Sequence, residues 1–250
     1  MSGHSHWAGI KHKKAATDAK KGKVWSRLAK AIIVAARMGG GNPDANSRLR
    51  LAIADAKAVS MPKENIERAI RRGTGEGSAT QLEEIIYEGY GPGGVAVLCE
   101  VLTDNRNRTA PEIRKMFDVS GGKLGATGCV AWMFDRKGVF TIPADQTDEE
   151  KLMELALELG ADDVQEAGDG LFEVTCSPDQ FVAVADGLTA AGIRPESQQI
   201  TRIPKDTVVI NDVDVARKVM RLIEQLEDHD DVQTAATNFD IPEEIAGQLD

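Results

Sequence analysis

Hydrophobic positions across residues 17–38 recur at helical spacing. Val24, Leu28, Ala31, Ile32, Ala35 and Ala36 share one arc, while Lys20, Lys23, Arg27, Lys30 and Arg37 share the opposite one. The pattern predicts a helix that buries its apolar arc, leaves its cationic arc facing outward, and stops at Gly39-Gly40-Gly41. Asn42, Pro43 and Asp44 then read as a start signal, with Asn42 as cap, Pro43 in the first turn and Asp44 at the positive dipole end. The stripe of this second helix is Leu49, Ala52, Ile53 and Ala56, flanked by Arg48, Arg50 and Lys57. Pro62 opens a third helix running to about Arg72, with Ile66, Ala69 and Ile70 inward, Lys63, Arg68, Arg71 and Arg72 charged, and Gly73 as its cap. Short helices with alanine-rich contact faces predict a small bundle, and GTGEGSAT (73–80) reads as a flexible linker.

Beyond the linker the pattern turns to strands. Leu82–Tyr87 and Val95–Leu102 are rich in Ile, Val and Leu, and GYGPGG (89–94) between them predicts a hairpin turn. Thr109 and Glu112 stand at capping-box spacing with Pro111 in the first turn, so a helix is expected to begin there. GGKLGATG (121–128) is a glycine-rich loop, and VAWMFD (130–135) reads as a buried strand with Trp132, Met133 and Phe134 in the core. Residues 138–204 follow the order strand, helix, two hairpin strands, helix, strand, which is the ferredoxin-like split repeat. A helix over 212–227, with Val215, Val219, Leu222, Ile223 and Leu226 inward, and a strand near 232–239 close the chain.

The expected fold class is therefore α+β and multidomain. A basic arm and three-helix bundle occupies residues 1–77. A discontinuous α+β domain takes 78–135 plus 206–250, and the ferredoxin-like domain, 136–205, is inserted into it.

Charge changes this picture more than composition does. Residues 1–72 carry sixteen Lys/Arg and five Asp/Glu, a net +11, whereas residues 73–250 carry −21, so the overall −10 hides a basic arm on an acidic body. Most of the negative charge lies in residues 138–250, with seven basic and twenty-six acidic side chains. The potential felt at contact is set within about 10 Å at ordinary salt, so the arm points to a polyanion. Residues 3–23 hold Lys11, Lys13, Lys14, Lys20, Lys21 and Lys23 against the single acid Asp18, as expected of a segment that orders on phosphate contact. Aromatics make up only 4% of the chain, which disfavours base stacking as the main mode of binding.

Other chemistry is weakly represented. Gly89, Gly91 and Gly94 satisfy GxGxxG, but a strand follows where the dinucleotide fingerprint requires a helix, and GGKLGATG lacks the GK[ST] of a phosphate-binding loop. His4, His6 and His12 have no Cys or carboxylate at ligand spacing, so neither metal nor cofactor is expected. No paired carboxylates, no Ser/His/Asp signature and only four histidines argue against an enzyme. Cys99, Cys129 and Cys176 form no disulfide framework, and the N-terminus has no apolar signal region. A cytoplasmic protein without a membrane partner is expected. Asp104, Asn105, Arg106, Asn107 and Arg108 crowd one strand-to-helix corner. Arg106 and Arg108 there suit either phosphate contact or an internal network with Asp104.

Four stretches carry a family likeness: HSHWAGIKHKKAATDAKKGK, GGGNPDANSRLRLAIADAKAVSMPKENIERAIRRGTGEG, YEGYGPGGVAVLCEVLTDNRNRTAPEIRK and GGKLGATGCVAWMFDRKG. They resemble the YebC/PmpR family. The resemblance implies three domains, one inserted into another. It also implies a cytoplasmic, DNA-binding transcriptional regulator; other members are described as translation factors acting at the ribosome. A ribosomal member would contact rRNA through its lysines and could turn its acidic body to basic ribosomal proteins. The candidate contacts are Lys11, Lys13, Lys14, Lys20, Lys21, Lys23, Arg27, Lys30, Arg48, Arg50, Arg71, Arg72, Arg106 and Arg108.

Overall fold

The computed structural model describes residues 18–75, 82–168 and 170–249. Lys11, Lys13 and Lys14, the side chains of Lys20 and Lys21, and most of the expected linker lie outside the described residues. In chain order the elements are α1 (Asp18–Gly39), α2 (Ser47–Ala58), α3 (Lys63–Gly73), β1 (Glu83–Tyr90), β2 (Ala96–Thr103), α4 (Arg106–Ser120), β3 (Lys123–Leu124) and β4 (Phe134–Pro143). These are followed by α5 (Glu149–Glu158), β5 (Asp163–Gly168), β6 (Leu171–Cys176), α6 (Phe181–Ala190), β7 (Ser197–Pro204) and β8 (Val208–Val209). The chain closes with α7 (Val213–Glu227), β9 (Val232–Thr237), β10 (Phe239–Asp240) and α8 (Glu243–Ala246). Contacts group the described residues into two compact units, one built on residues from 18–129 and 214–235, the other on residues from 130–213 and 236–249.

In the first unit, α2 and α3 pack on α1 around Ile32, Leu49, Ala56, Met61 and Ile66, all buried. Gly73 has a steric reason to be glycine: a Cβ there would stand 2.5 Å from the Ile33 carbonyl oxygen, so its absence lets α3 close on α1. Asn46, not Asn42, caps α2. Its Oδ1 accepts from the Leu49 N–H, while its Nδ2 donates to the carbonyls of Ala35 and Gly40 at the end of α1. One buried side chain thus stops one helix and starts the next, and Asn42-Pro43-Asp44 is left as a turn in which Asn42 accepts from the Asp44 N–H.

The sheet of this unit has the order β3-β1-β2-β9. β1 and β2 form an antiparallel hairpin from Glu83↔Thr103 to Tyr90↔Ala96, closed by a 3-10 turn at Pro92–Gly94, as GYGPGG predicts. α4 buries Ile113 and Phe117. Phe117 reaches the sheet at Gly89, where a Cβ would lie 2.8 Å from its ring. α7 is amphipathic as read from sequence, burying Val219, Leu222, Ile223 and Leu226. The helix-strand piece near the C-terminus therefore completes the sheet begun at residue 83.

The start of α4 and the third strand also differ from expectation. α4 starts at Arg106 under an Asn105 cap, three residues before Thr109, so Pro111 sits inside the helix. The third strand of the sheet is the two-residue β3, paired with Gly89–Tyr90, and not VAWMFD. Within that stretch Ala131–Met133 make a 3-10 turn, and β4 begins only at Phe134. A helical turn breaks the strand alternation, which leaves Trp132 67% exposed while Phe134 is buried.

The second unit carries an antiparallel sheet in the order β5-β6-β4-β7 with α5 and α6 as its two crossovers, the ferredoxin-like arrangement read from sequence. Phe140 of β4 stacks on Phe181 of α6, ring centroids 4.7 Å apart. β8 and β10 add a short parallel pair.

Candidate nucleic-acid interface

The cationic arc of α1 does not all face outward. Arg27 donates through Nη1 to the Glu227 carbonyl at 3.0 Å, Lys23 through Nζ to the Asp228 carbonyl at 3.2 Å, and Lys30 to the Asp230 carbonyl at 3.1 Å. These oxygens lie at and just beyond the C-terminal end of α7, where the macrodipole is negative and carbonyls lack helical partners. Lys30 continues to the carboxylate of Asp231, Nζ to Oδ1 2.5 Å, and to the Leu102 carbonyl at 3.4 Å. The expectation of an outward arc overlooked the late helix whose end takes up Lys23, Arg27 and Lys30.

Asp231 is the node of this arrangement. Its side chain is 2% exposed and its Oδ2 accepts from Arg108 at 2.7 Å, Thr109 at 2.7 Å and Thr103 at 3.1 Å. Burial alone would raise its pKa. Hydrogen bonds from Lys30, Thr109 and Arg108 outweigh burial and hold the carboxyl well below the usual range. Arg108 also reaches Asp104 at 3.3 Å, and its hydrogen bond to Asp231 raises its own pKa. Of the two readings left open for the Asp104–Arg108 corner, Arg108 follows the internal one. Arg106, in the first turn of α4, is exposed.

His229 ties the same region together. Its Nδ1 accepts from the Asp231 N–H at 3.1 Å, so its Nε2 carries the proton and donates to Glu112 of α4 at 2.9 Å. The glycine-rich loop 121–128 is held in a similar way: buried Glu88 accepts from the Gly128 N–H at 2.6 Å, and its carbonyl accepts from Gly125 at 2.7 Å.

The cations of α2 and α3 are placed differently. Arg50, Lys57, Arg68, Arg71 and Arg72 are all exposed. Arg48 is spent in part on Glu84, 2.6 Å away, with both side chains near half exposure. On α3, Arg68, Arg71 and Arg72 stand three and four residues apart and so share a face, opposite the buried Ile66, Ala69 and Gly73.

Residues 5–76 match the description "TACO1/YebC protein N-terminal domain" and residues 82–239 match "TACO1/YebC second and third domain". The chain belongs to the TACO1/YebC family. A "probable transcriptional regulatory protein" of Rhodopirellula baltica is 57% identical over 99% of this chain and 100% of its own length. One of Dictyoglomus turgidum is 55% identical over the full length of both. The crystal structure of a conserved hypothetical protein from Aquifex aeolicus superposes with a TM-score of 0.85 at 52% identity, covering 95% of this chain and 98% of that one. No helix among the described residues is long and apolar enough to cross a membrane.

The sequence reading missed two features of this family member. Asp231 was invisible because its partners lie about 120 to 200 residues away along the chain. Arg68 was seen as a charge and left out of the candidate contacts, although its spacing with Arg71 and Arg72 already placed it on their face.

Proposed function

We propose that the protein is a non-enzymatic regulator of gene expression that binds nucleic acid through the exposed cations of α2 and α3. The observation carrying this is the shared face of Arg68, Arg71 and Arg72, at the end of a segment of net charge +11. Close spacing of guanidinium groups on one helix face suits successive phosphates, and releasing their counterions drives binding. Lys11, Lys13, Lys14, Lys20 and Lys21 would extend that contact. Lys23, Arg27 and Lys30 serve mainly to seat α1 on the end of α7, with Arg108 likewise engaged at Asp231.

The names of the relatives favour a transcriptional regulator, and in that reading the partner is DNA. A second reading, a ribosome-associated factor that binds rRNA, is favoured by the charge of −21 on residues 73–250, which suits a setting crowded with basic proteins. Sedimentation of a cell lysate at low and high salt separates them. Co-migration with ribosomal particles, lost on charge reversal of Arg68, Arg71 and Arg72, supports the second. Absence from ribosomes together with selective recovery of promoter DNA supports the first.

A further inference from the structure

A groove of about 250 Å³ runs between α1 and α3, apart from the Asp231 node. Trp25 and Met61 form apolar parts of its wall, and Asn65, Arg68 and Arg72 line it from the side of α3. Trp25 is half-buried against the bundle core, and its Nε1–H donates to the Val59 carbonyl at 3.2 Å. That bond pins the indole to the turn between α2 and α3. The remaining feature is Gly22. It lies inside α1, where glycine weakens a helix relative to almost any other residue. Yet among the described residues no close packing requires it: none lies within 4 Å of a Cβ built there, and its φ is not in the left-handed region. Gly22 lines the groove. The helix thus bears a cost that packing among the described residues does not explain, and the missing side chain leaves this groove open.

We propose that the groove takes an unpaired nucleotide, its base against Trp25 beneath Gly22 and its phosphates on Arg68 and Arg72. This rests on the nucleic-acid reading above and sharpens it, because duplex phosphates alone would need neither a pinned indole nor a vacant helix position. A fixed aromatic ring beside two guanidinium groups is the usual means of holding a splayed base and its backbone. Asn65, on the same stripe of α3, adds an amide able to donate to or accept from a base edge. The unpaired stretch could come from RNA or from melted DNA.

The test uses the full chain with Trp7→Phe and Trp132→Phe, which leaves Trp25 as the sole tryptophan. The probes are short single-stranded RNA and DNA of one sequence, their duplexes, and an abasic DNA strand. Base-bearing single strands are expected to quench Trp25 emission, and abasic strands to bind without quenching. The ribo- and deoxyribo-strands, compared, identify the source. Gly22→Leu should fold, since leucine is the better helix former, and should fill the groove. It is expected to weaken single-strand binding about tenfold and leave duplex binding unchanged. Equal quenching by abasic strands, or single-strand binding unaffected by Gly22→Leu, would overturn the groove while leaving phosphate recognition intact. A parent protein that binds none of the probes would overturn the nucleic-acid reading itself.

Discussion

Lys30 of α1 and Asp231, two hundred residues later, meet at 2.5 Å, with the carboxylate almost completely buried. A lysine counted among the candidate phosphate contacts is held by the protein's own acid. Taking one partner from a buried pair leaves the other charge uncompensated. Asp231→Asn is expected to cost about 3 kcal/mol of stability in urea denaturation. A loss below about 1 kcal/mol, the value of a surface pair, would contradict this account of the node.

Arg27→Met should cost about 1 kcal/mol, the worth of a cation at a helix C-terminus, with little effect on nucleic-acid affinity. If instead the variant keeps its stability and loses affinity, Arg27 faces a ligand and not the Glu227 carbonyl.

Stability should depend on pH through two carboxyls acting in opposite directions. Asp231 has a folded pKa below its unfolded value. Its contribution is therefore present above about pH 4 and is lost as pH falls through the folded pKa. Asp55 is pushed up to about 6 by burial. Its folded pKa exceeds its unfolded one, so its contribution is complete below about pH 4 and is lost as pH rises through about 6. Asp55→Asn should accordingly raise stability at pH 7.5 by about 1 kcal/mol and change nothing near pH 4, which thermal melts across that range would show. A stabilisation of equal size at both ends would refute the assignment.

Glu88 holds the glycine-rich loop, accepting from Gly128 at 2.6 Å while buried. Glu88→Ala strands that N–H and should cost about 2 kcal/mol. Hydrogen exchange should quicken first at Gly128, which loses its acceptor, and less at Gly125, whose acceptor is the main-chain carbonyl that alanine keeps. Unchanged protection of both amides would show that the loop is held by something else.

Much of the fold was legible because its cues are local. The stripe of α1, the glycines of the β1–β2 turn and the two-helix, four-strand order of residues 138–204 each declare themselves within a short window. Asn46 was missed because the chain offers another cap signal four residues earlier, and burial against Ala35 and Gly40 decided between them. Trp132 was misplaced because a 3-10 turn and a buried strand use similar apolar runs. The site was less legible still. Helical period separates the polar face of α1 from its apolar face, but it cannot say that α7 will end against that polar face. For the arginines of α3, spacing alone gives the shared face, and all three are exposed in the structure.

Phosphate contact by the α3 arginine face underlies the proposed function. The most direct measurement is the salt dependence of nucleic-acid affinity for the full chain, with and without R68E/R71E/R72E. Affinity is expected to fall steeply with salt, and the triple variant to lose about tenfold or more in binding, with a log–log slope reduced by about 2 to 3 at unchanged helicity. An unchanged slope and affinity in a folded variant would contradict it.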